Sequence, residues 1–126
     1  MEIRKFVKKD MEELNWWLSV RDLPAAKFKI PKLAYMSHIE NVSVACLFLR
    51  RIEGGFGLID GLCTNPEAVD YVRNNAINEL LFRAIYDAKA VGIKAIMAFV
   101  SDEHTLTRAA SFDFITLNDK CIIRSI

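Results

Sequence analysis

The chain has 126 residues, of which 52% are hydrophobic, and its 17 basic and 16 acidic residues leave a formal net charge of +1. This length predicts a single domain over residues 1–126, and the balanced charge excludes the broad basic surface that nonspecific nucleic-acid binding needs. No apolar run approaches the ~20 residues of a membrane span, and the first residues lack the pattern of a secretion signal. We therefore expect a cytoplasmic protein without nucleic-acid or membrane partners.

The first part of the chain predicts a short strand and a helix. Residues 3–7 alternate between apolar and polar side chains, as a strand does. Asp10 is then a suitable N-cap for a helix. Trp16 and Trp17 are neighbours in this helix, so one ring should face the core while the other faces elsewhere. Residues 23–32 contain two prolines and predict a loop.

The middle of the chain predicts a hairpin followed by a crossover. Residues 34–39 and 42–50 have the composition of two antiparallel strands joined by a short polar turn. A strand over residues 56–63 precedes an amphipathic helix over residues 72–91, and another strand follows over residues 94–100. A strand, a helix and a strand in this order make a βαβ unit with parallel strands.

The last part of the chain predicts a short helix and a second hairpin. Ser101 or Asp102 can cap the helix. Residues 114–117 and 121–126 then form the strands of the hairpin around a polar turn. The complete order is β-α-β-β-β-α-β-α-β-β, which predicts an α/β domain with a mixed central sheet and helices on both faces.

The cysteines and histidines indicate neither a disulfide framework nor a metal site. Cys46, Cys63 and Cys121 are odd in number, and each lies in an apolar strand pattern without C-x-x-C spacing. We expect buried thiols on these grounds. His38 and His104 are far apart in the sequence and form no ligand pattern, so we expect no bound metal.

Several segments occur together in an arrangement that is known from one superfamily. A strand ends in Leu62-Cys63-Thr64-Asn65-Pro66, Gly92 separates the long helix from the next strand, and Ala109-Ala110-Ser111-Phe112-Asp113-Phe114 closes the last helix. Together with the element order, these segments resemble the GNAT superfamily, the N-acyltransferases that depend on acetyl-coenzyme A (acetyl-CoA). The resemblance covers essentially the full length of the chain.

The resemblance implies a binding site for acetyl-CoA as co-substrate. The two parallel strands of the βαβ unit would splay apart, and the backbone of Leu62, Cys63 and Thr64 would pair with the pantetheine arm like a missing strand. The family motif R/Q-x-x-G-x-G/A cradles the pyrophosphate with backbone N–H groups at a helix start. Its best alignment begins at Arg73, with alanine and asparagine in place of the glycines. The cofactor contacts implied by this alignment are Arg73, Asn74, Asn75, Ala76 and Ile77.

The resemblance implies a less complete set of catalytic residues. In the family a tyrosine of the late helix protonates the departing CoA thiolate, and the matching position here is Ala109. Asp60 is a candidate base, because a carboxylate within an apolar strand costs free energy unless it is functional or paired. The alternative for Asp60 is a structural role, in which it pairs with a backbone donor or a cation or lies at the bottom of the splayed gap. His104 is a second candidate base, with exposed polar surface as its alternative role.

The favoured function is therefore an N-acetyltransferase that moves an acetyl group from acetyl-CoA to an amine of a small molecule or a protein. Catalysis would rest mainly on positioning. The helix segment Asn15-Trp16-Trp17, the loop prolines Pro24 and Pro31 and the segment 64–68 are similar, more narrowly, to small GNAT-like proteins often carried by phages. The missing tyrosine and glycines favour the alternative of a degenerate GNAT fold that acts as a binding or interaction module. The sequence leaves open whether the protein is a monomer or a homodimer.

Overall fold

The computed structural model describes residues 1–120 and 122–125, and a mixed five-stranded sheet forms its centre. The strands lie side by side in chain order and are β1 (Glu2–Lys5), β2 (Leu33–Ile39), β3 (Val42–Ile52), β4 (Phe56–Thr64) and β5 (Ala95–Ala98). The helices are α1 (Met11–Val20), α2 (Asp70–Ala90) and α3 (Glu103–Ser111), and a 3₁₀ turn at Lys8–Asp10 precedes α1.

The pairing of the strands gives the predicted mixed sheet. Strands β1 to β4 pair antiparallel, whereas β4 and β5 pair in parallel. Helix α2 connects β4 to β5, so the predicted βαβ crossover is present. The elements from β1 to α3 follow one another in the predicted order, which confirms the mixed α/β fold. Within the described residues, no helix has both the length and the apolar character needed to cross a bilayer.

The sheet carries a separate apolar core on each face, because successive residues of a strand point to opposite sides. On one side, which we call the α2 face, Leu47 packs with Leu80 of α2. On the other side, the α1 face, Phe48 packs with Trp17 of α1. Trp17 is fully buried and its neighbour Trp16 is 45% exposed, as expected for adjacent helical positions. Helices therefore cover both faces of the sheet, as predicted.

Asp10 is the N-cap residue of α1, as the sequence predicts, but its side chain connects β1 to α1 instead of capping the helix. Its side chain accepts no hydrogen bond from the backbone of α1. The carboxylate instead accepts two hydrogen bonds from Arg4, of 2.7 and 2.9 Å, and one of 2.9 Å from the N–H of Val7. Asp10 is only 6% exposed. A partly buried ion pair with two parallel hydrogen bonds thus holds the first strand against the start of the helix.

The closing hairpin of the predicted fold is absent from the described residues. Residues 114–120 and 122–125 form neither helix nor strand, and the predicted strand positions Cys121 and Ile126 lie outside the described residues. Ile123 is 95% exposed. A strand pattern is stable only where a neighbouring strand and a hydrophobic face support it. In the described part of the chain β5 is the last strand of the sheet, so the element order ends with α3.

Candidate functional site

Strands β4 and β5 part at their carboxyl ends. Their parallel pairing runs from Phe56 and Ala95 to Ile59 and Ala98, where β5 ends. Strand β4 continues to Thr64, and among the described strands only β3 accompanies this last part. The edge of β4 that faced β5 is therefore open beyond Ile59, as a splayed pair of strands requires.

A β-bulge at Asp60 marks the point where the strands separate. Leu49 pairs with Ile59 and Phe48 pairs with Gly61, so Asp60 is the extra residue. Glycine is required next to it, because a Cβ atom at Gly61 would lie 2.5 Å from a carbon of the Phe48 ring. A bulge bends its strand and increases the local twist. The bulge thus accounts for the departure of β4 from β5.

An open cleft of about 380 Å³ lies between the end of β4, the first turns of α2 and the start of α3. The predicted site residues that line it are Leu62, Thr64, Arg73, Asn74, Ile77 and His104. It also contains residues that the sequence did not single out, namely Asp70, Thr105 and Arg108. The predicted residues outside its lining are Asp60, Cys63, Asn75 and Ala76. The cleft therefore brings together predicted cofactor contacts from β4 and from α2.

Asp60 belongs to a different cluster, which contains Arg50 and the loop before β2. The Asp60 carboxylate forms an ion pair with Arg50. Arg50 Nη1 also donates a 3.0 Å hydrogen bond to the backbone oxygen of Lys29, and the guanidinium carbon lies 5.0 Å from the centroid of the Phe28 ring. Arg50 thereby anchors the loop to the sheet. In the structure Asp60 therefore forms an ion pair, which is the arrangement expected of a structural role.

Cys63 packs against the core on the α1 face, whereas its neighbour Leu62 lines the cleft. Burial raises the pKa of the Cys63 thiol, and the positive charge of Arg21 offsets only part of that rise. Arg21 Nη1 lies 3.7 Å from Cys63 Sγ, and Nη2 donates a 3.0 Å hydrogen bond to Thr64 Oγ1. This thiol is a packing group, so only the backbone of Cys63 remains for the predicted cofactor contact. In the described residues, no three His, Cys, Asp or Glu side chains converge as metal ligands would.

Helix α2 begins at Asp70, which is earlier than the predicted pyrophosphate motif requires. The aligned residues 73–78 therefore lie inside the helix, where each backbone N–H donates to a carbonyl one turn back. Ala76 is fully buried in the core under α2, and Asn75 is exposed outside the cleft. The backbone cradle expected over these residues is thus absent, because the helix has already formed there. Arg73 and Asn74 remain candidate contacts through their side chains.

Asn65 organises the connection from β4 to α2. Its own N–H donates to Val44 O at 2.7 Å, and its Nδ2 donates to Ser43 O at 2.9 Å. Its Oδ1 accepts from the N–H of Glu67 at 2.9 Å, and its backbone oxygen accepts from the N–H of Ala68 at 3.1 Å. Asn65 is nearly fully buried. These hydrogen bonds fix the turn that leads into the helix.

Arg108 joins α3 to α2 across the cleft. Its Nη1 donates to Asn78 Oδ1 at 2.9 Å and to Asn74 O at 3.1 Å, and its Nη2 donates to Asn74 Oδ1 at 2.6 Å. Nη2 also lies 3.2 Å from Nε2 of His104, which is exposed in the cleft. A guanidinium has donors only, so Nε2 of His104 can take part in this contact only as the acceptor.

Asp102 fixes the start of α3, as the sequence predicts. Its Oδ2 accepts hydrogen bonds from the Thr105 N–H at 2.9 Å and from Thr105 Oγ1 at 2.7 Å. The side-chain and backbone hydrogen bonds of Thr105 lower the pKa of the Asp102 carboxyl. The helix then places His104 and Arg108 one turn apart on the same face. This spacing is the signal in the sequence by which Arg108 could have been recognised.

The comparisons with known proteins concern the fold. No protein-family model matches the sequence, and no curated protein matches it significantly. A GNAT family acetyltransferase from Streptococcus pneumoniae aligns with a TM-score of 0.73 and 14% identity over 99% of this chain and 96% of that chain. The ribosomal-protein-S18-alanine N-acetyltransferase from Escherichia coli aligns with a TM-score of 0.73 and 13% identity over 88% of this chain and 75% of that chain.

A third structure aligns with only part of a larger enzyme. The N-acetylglutamate synthase from Neisseria gonorrhoeae, solved with coenzyme A and N-acetyl-glutamate, gives a TM-score of 0.68 and 17% identity over 86% of this chain but 27% of that chain. At such identities a structural likeness establishes the fold alone. The chain therefore has the fold of the GNAT acetyltransferases.

Proposed function

We propose that this protein is an N-acyltransferase that moves an acetyl group from acetyl-CoA to an amine of a small molecule or a protein. The proposal depends above all on the separation of β4 from β5 after the pair formed by Ile59 and Ala98. An open strand edge presents backbone donors and acceptors at regular spacing, which the amides of a pantetheine arm can match. The likeness in fold to a synthase that was solved with coenzyme A supports the same proposal.

In the proposed reaction the amine nitrogen attacks the thioester carbonyl carbon, the new N–C bond forms and the C–S bond breaks. The acceptor amine gives up a proton, and the CoA thiolate takes up a proton from solvent. We assign His104 as the base, because its imidazole lines the cleft and Nε2 can accept a hydrogen bond there. The position that holds a tyrosine in the resemblance is Ala109, so the binding and orientation of both substrates must supply most of the rate enhancement.

Binding of acetyl-CoA is the first test. We expect acetyl-CoA and CoA to raise the midpoint of thermal unfolding, because a ligand at 100 times its Kd stabilises the folded state by about 2.7 kcal/mol. A panel of amines, polyamines and peptides with free N-termini is then assayed for release of the CoA thiol, with an amine-free reaction as the control for hydrolysis. An unchanged unfolding midpoint at millimolar acetyl-CoA would reject the proposal.

A binding or interaction module with the GNAT fold is the second candidate function. Two observations favour it, since Ala109 cannot act as an acid and Arg108 bridges α2 and α3 across the cleft. Such a module, of the kind carried by phages, would engage a host or virion component as a monomer or a homodimer. CoA binding without thiol release for any amine of the panel would favour this candidate over the transferase.

A further inference from the structure

We infer that Arg108 binds a phosphate group of the CoA cofactor and replaces the backbone loop that the resemblance implies. The inference rests on the proposed function and names a binding residue in the same cleft. It follows from three features of the described residues. The N–H groups of the turn before α2 already donate within the protein at Asn65, Glu67 and Ala68. Arg73 is paired with a carboxylate, whereas Arg108 has no carboxylate partner among the described residues.

The backbone between β4 and α2 is committed to hydrogen bonds inside the protein. The N–H of Asn65 donates to Val44 O at 2.7 Å, that of Glu67 to Asn65 Oδ1 at 2.9 Å, and that of Ala68 to Asn65 O at 3.1 Å. Pro66 has no N–H to offer. These N–H groups are therefore not available to a pyrophosphate, so side chains should supply much of the binding.

In the first turn of α2, part of the backbone is also engaged, and the local charge disfavours a phosphate. The N–H groups of Val72 and Arg73 both donate to Val69 O at 3.1 Å. Asp70 places a carboxylate at the start of the helix, where it repels a second negative charge. The same carboxylate forms an ion pair with Arg73, so the charge of this arginine is already balanced.

Arg108 is the arginine of the cleft that has no carboxylate partner among the described residues. Its contacts are the neutral oxygens of Asn74 and Asn78 and Nε2 of His104. A guanidinium makes shorter and stronger hydrogen bonds to anionic acceptors than to neutral ones. Its planar fork also matches two oxygens of one phosphate. A phosphate that enters the cleft should therefore displace the asparagine oxygens from Arg108.

The exchange of partners also affects His104. In the structure Nη2 of Arg108 lies 3.2 Å from Nε2 of His104, so this nitrogen is occupied by the contact with the guanidinium. Once Arg108 binds a phosphate, Nε2 is released and can accept the proton of the acceptor amine. Cofactor binding and the availability of the proposed base are coupled in this way.

Calorimetric titration of CoA into four proteins tests the inference: wild type, Arg108→Gln, Arg108→Lys and Arg83→Gln. Arg83 pairs with Asp87 further along α2 and does not line the cleft, so Arg83→Gln removes the same charge elsewhere. We expect Arg108→Gln to weaken CoA binding by roughly 10- to 100-fold. Arg108→Lys should lose less, since lysine keeps the charge without the fork, and Arg83→Gln should bind CoA as the wild type does.

Pantetheine, the phosphate-free arm of CoA, separates phosphate binding from a merely structural contact between the helices. In NMR titrations at millimolar concentration, Arg108→Gln should bind pantetheine as the wild type does. Two results would overturn the inference. One is equal CoA affinity in Arg108→Gln and Arg83→Gln, and the other is a parallel loss of CoA and pantetheine, which would make Arg108 a structural clamp for α3. A wild type that binds no CoA would instead overturn the proposed function itself, and this inference with it.

Discussion

His104 and Asp60 show how the surroundings of a side chain distinguish between two candidate bases. The carboxylate of Asp60 is held by Arg50 and lies outside the cleft. His104 lines the cleft together with the strand residues expected to bind the cofactor. A general base must come within hydrogen-bond reach of the proton that it removes. This condition favours His104, which lines the cleft, over Asp60, which does not.

Substitution of the two residues separates a chemical from a structural role. We expect His104→Gln to lower the rate of acetyl transfer by about 10²-fold or more, because the amine loses its base, with no loss of CoA affinity. Asp60→Asn should lower the unfolding midpoint instead, because Arg50 loses the partner of its charge. Initial rates of thiol release and thermal unfolding check both expectations. A loss of rate with normal stability in Asp60→Asn would make Asp60 the base.

The residues of the site differ in how far the sequence could identify them. Leu62 and Thr64 are implied by the resemblance, His104 follows from its position just after a predicted strand, and the structure brings the three into one cleft. The pairing of Asp60 with Arg50 depends on the register between β3 and β4, which the bulge sets. The contacts of Arg108 with α2 depend on how two helices pack. Neither register nor packing is visible in the periodicity of one segment.

At the scale of elements, local patterns predicted the order from β1 to α3, because each of these elements has a clear period or a capping residue. The ends of elements were less well predicted. Helix α2 starts at Asp70 because the turn held by Asn65 delivers an extended residue, Val69, directly to the helix. The prediction of the closing hairpin was wrong for another reason. Strand formation depends on the neighbouring elements and not on the alternating pattern alone.

The junction between β1 and α1 should be sensitive to acid. Burial raises the pKa of Asp10, but the hydrogen bonds from Arg4 and from the Val7 N–H outweigh it and leave the pKa lowered. A carboxyl with a lowered pKa in the folded state contributes stability that is present above its unfolded pKa of about 3.9. That contribution is lost as the pH falls through the folded pKa. The ion pair should therefore stabilise the protein at neutral pH and fail in strong acid.

We expect Asp10→Asn to lower the free energy of unfolding by about 1–3 kcal/mol at neutral pH, because Arg4 and Val7 lose a charged acceptor in a buried place. The variant should also lose less stability than the wild type when the pH falls below ~4. Urea denaturation from neutral to acid pH measures both effects, with Glu12→Gln on the exposed side of α1 as the control. Parallel stability curves for wild type and Asp10→Asn would contradict the expectation.

At the scale of the whole molecule, charge and fold contribute differently to the proposed function. The fold supplies the open edge of β4, a feature of the backbone that tolerates many sequences. The net charge of +1 supplies almost no long-range attraction for an anionic cofactor. Attraction must then come from individual side chains in the cleft. In this protein the open edge of β4 provides backbone contacts for the cofactor, and Arg108 provides the positive charge that attracts its phosphate.

If the electrostatic attraction comes mainly from Arg108, the dependence of CoA affinity on salt can be predicted. We expect the affinity of the wild type to fall several-fold between about 0.1 and 1 M NaCl, because the Debye length shrinks from about 10 to about 3 Å. Arg108→Gln should show a weaker dependence, since one contact between opposite charges is missing, and uncharged pantetheine should show almost none. Titrations at several salt concentrations give the slopes. Equal slopes for wild type and Arg108→Gln would contradict this expectation. They would mean that the attraction is spread over the whole surface, although a net charge of +1 provides little such attraction.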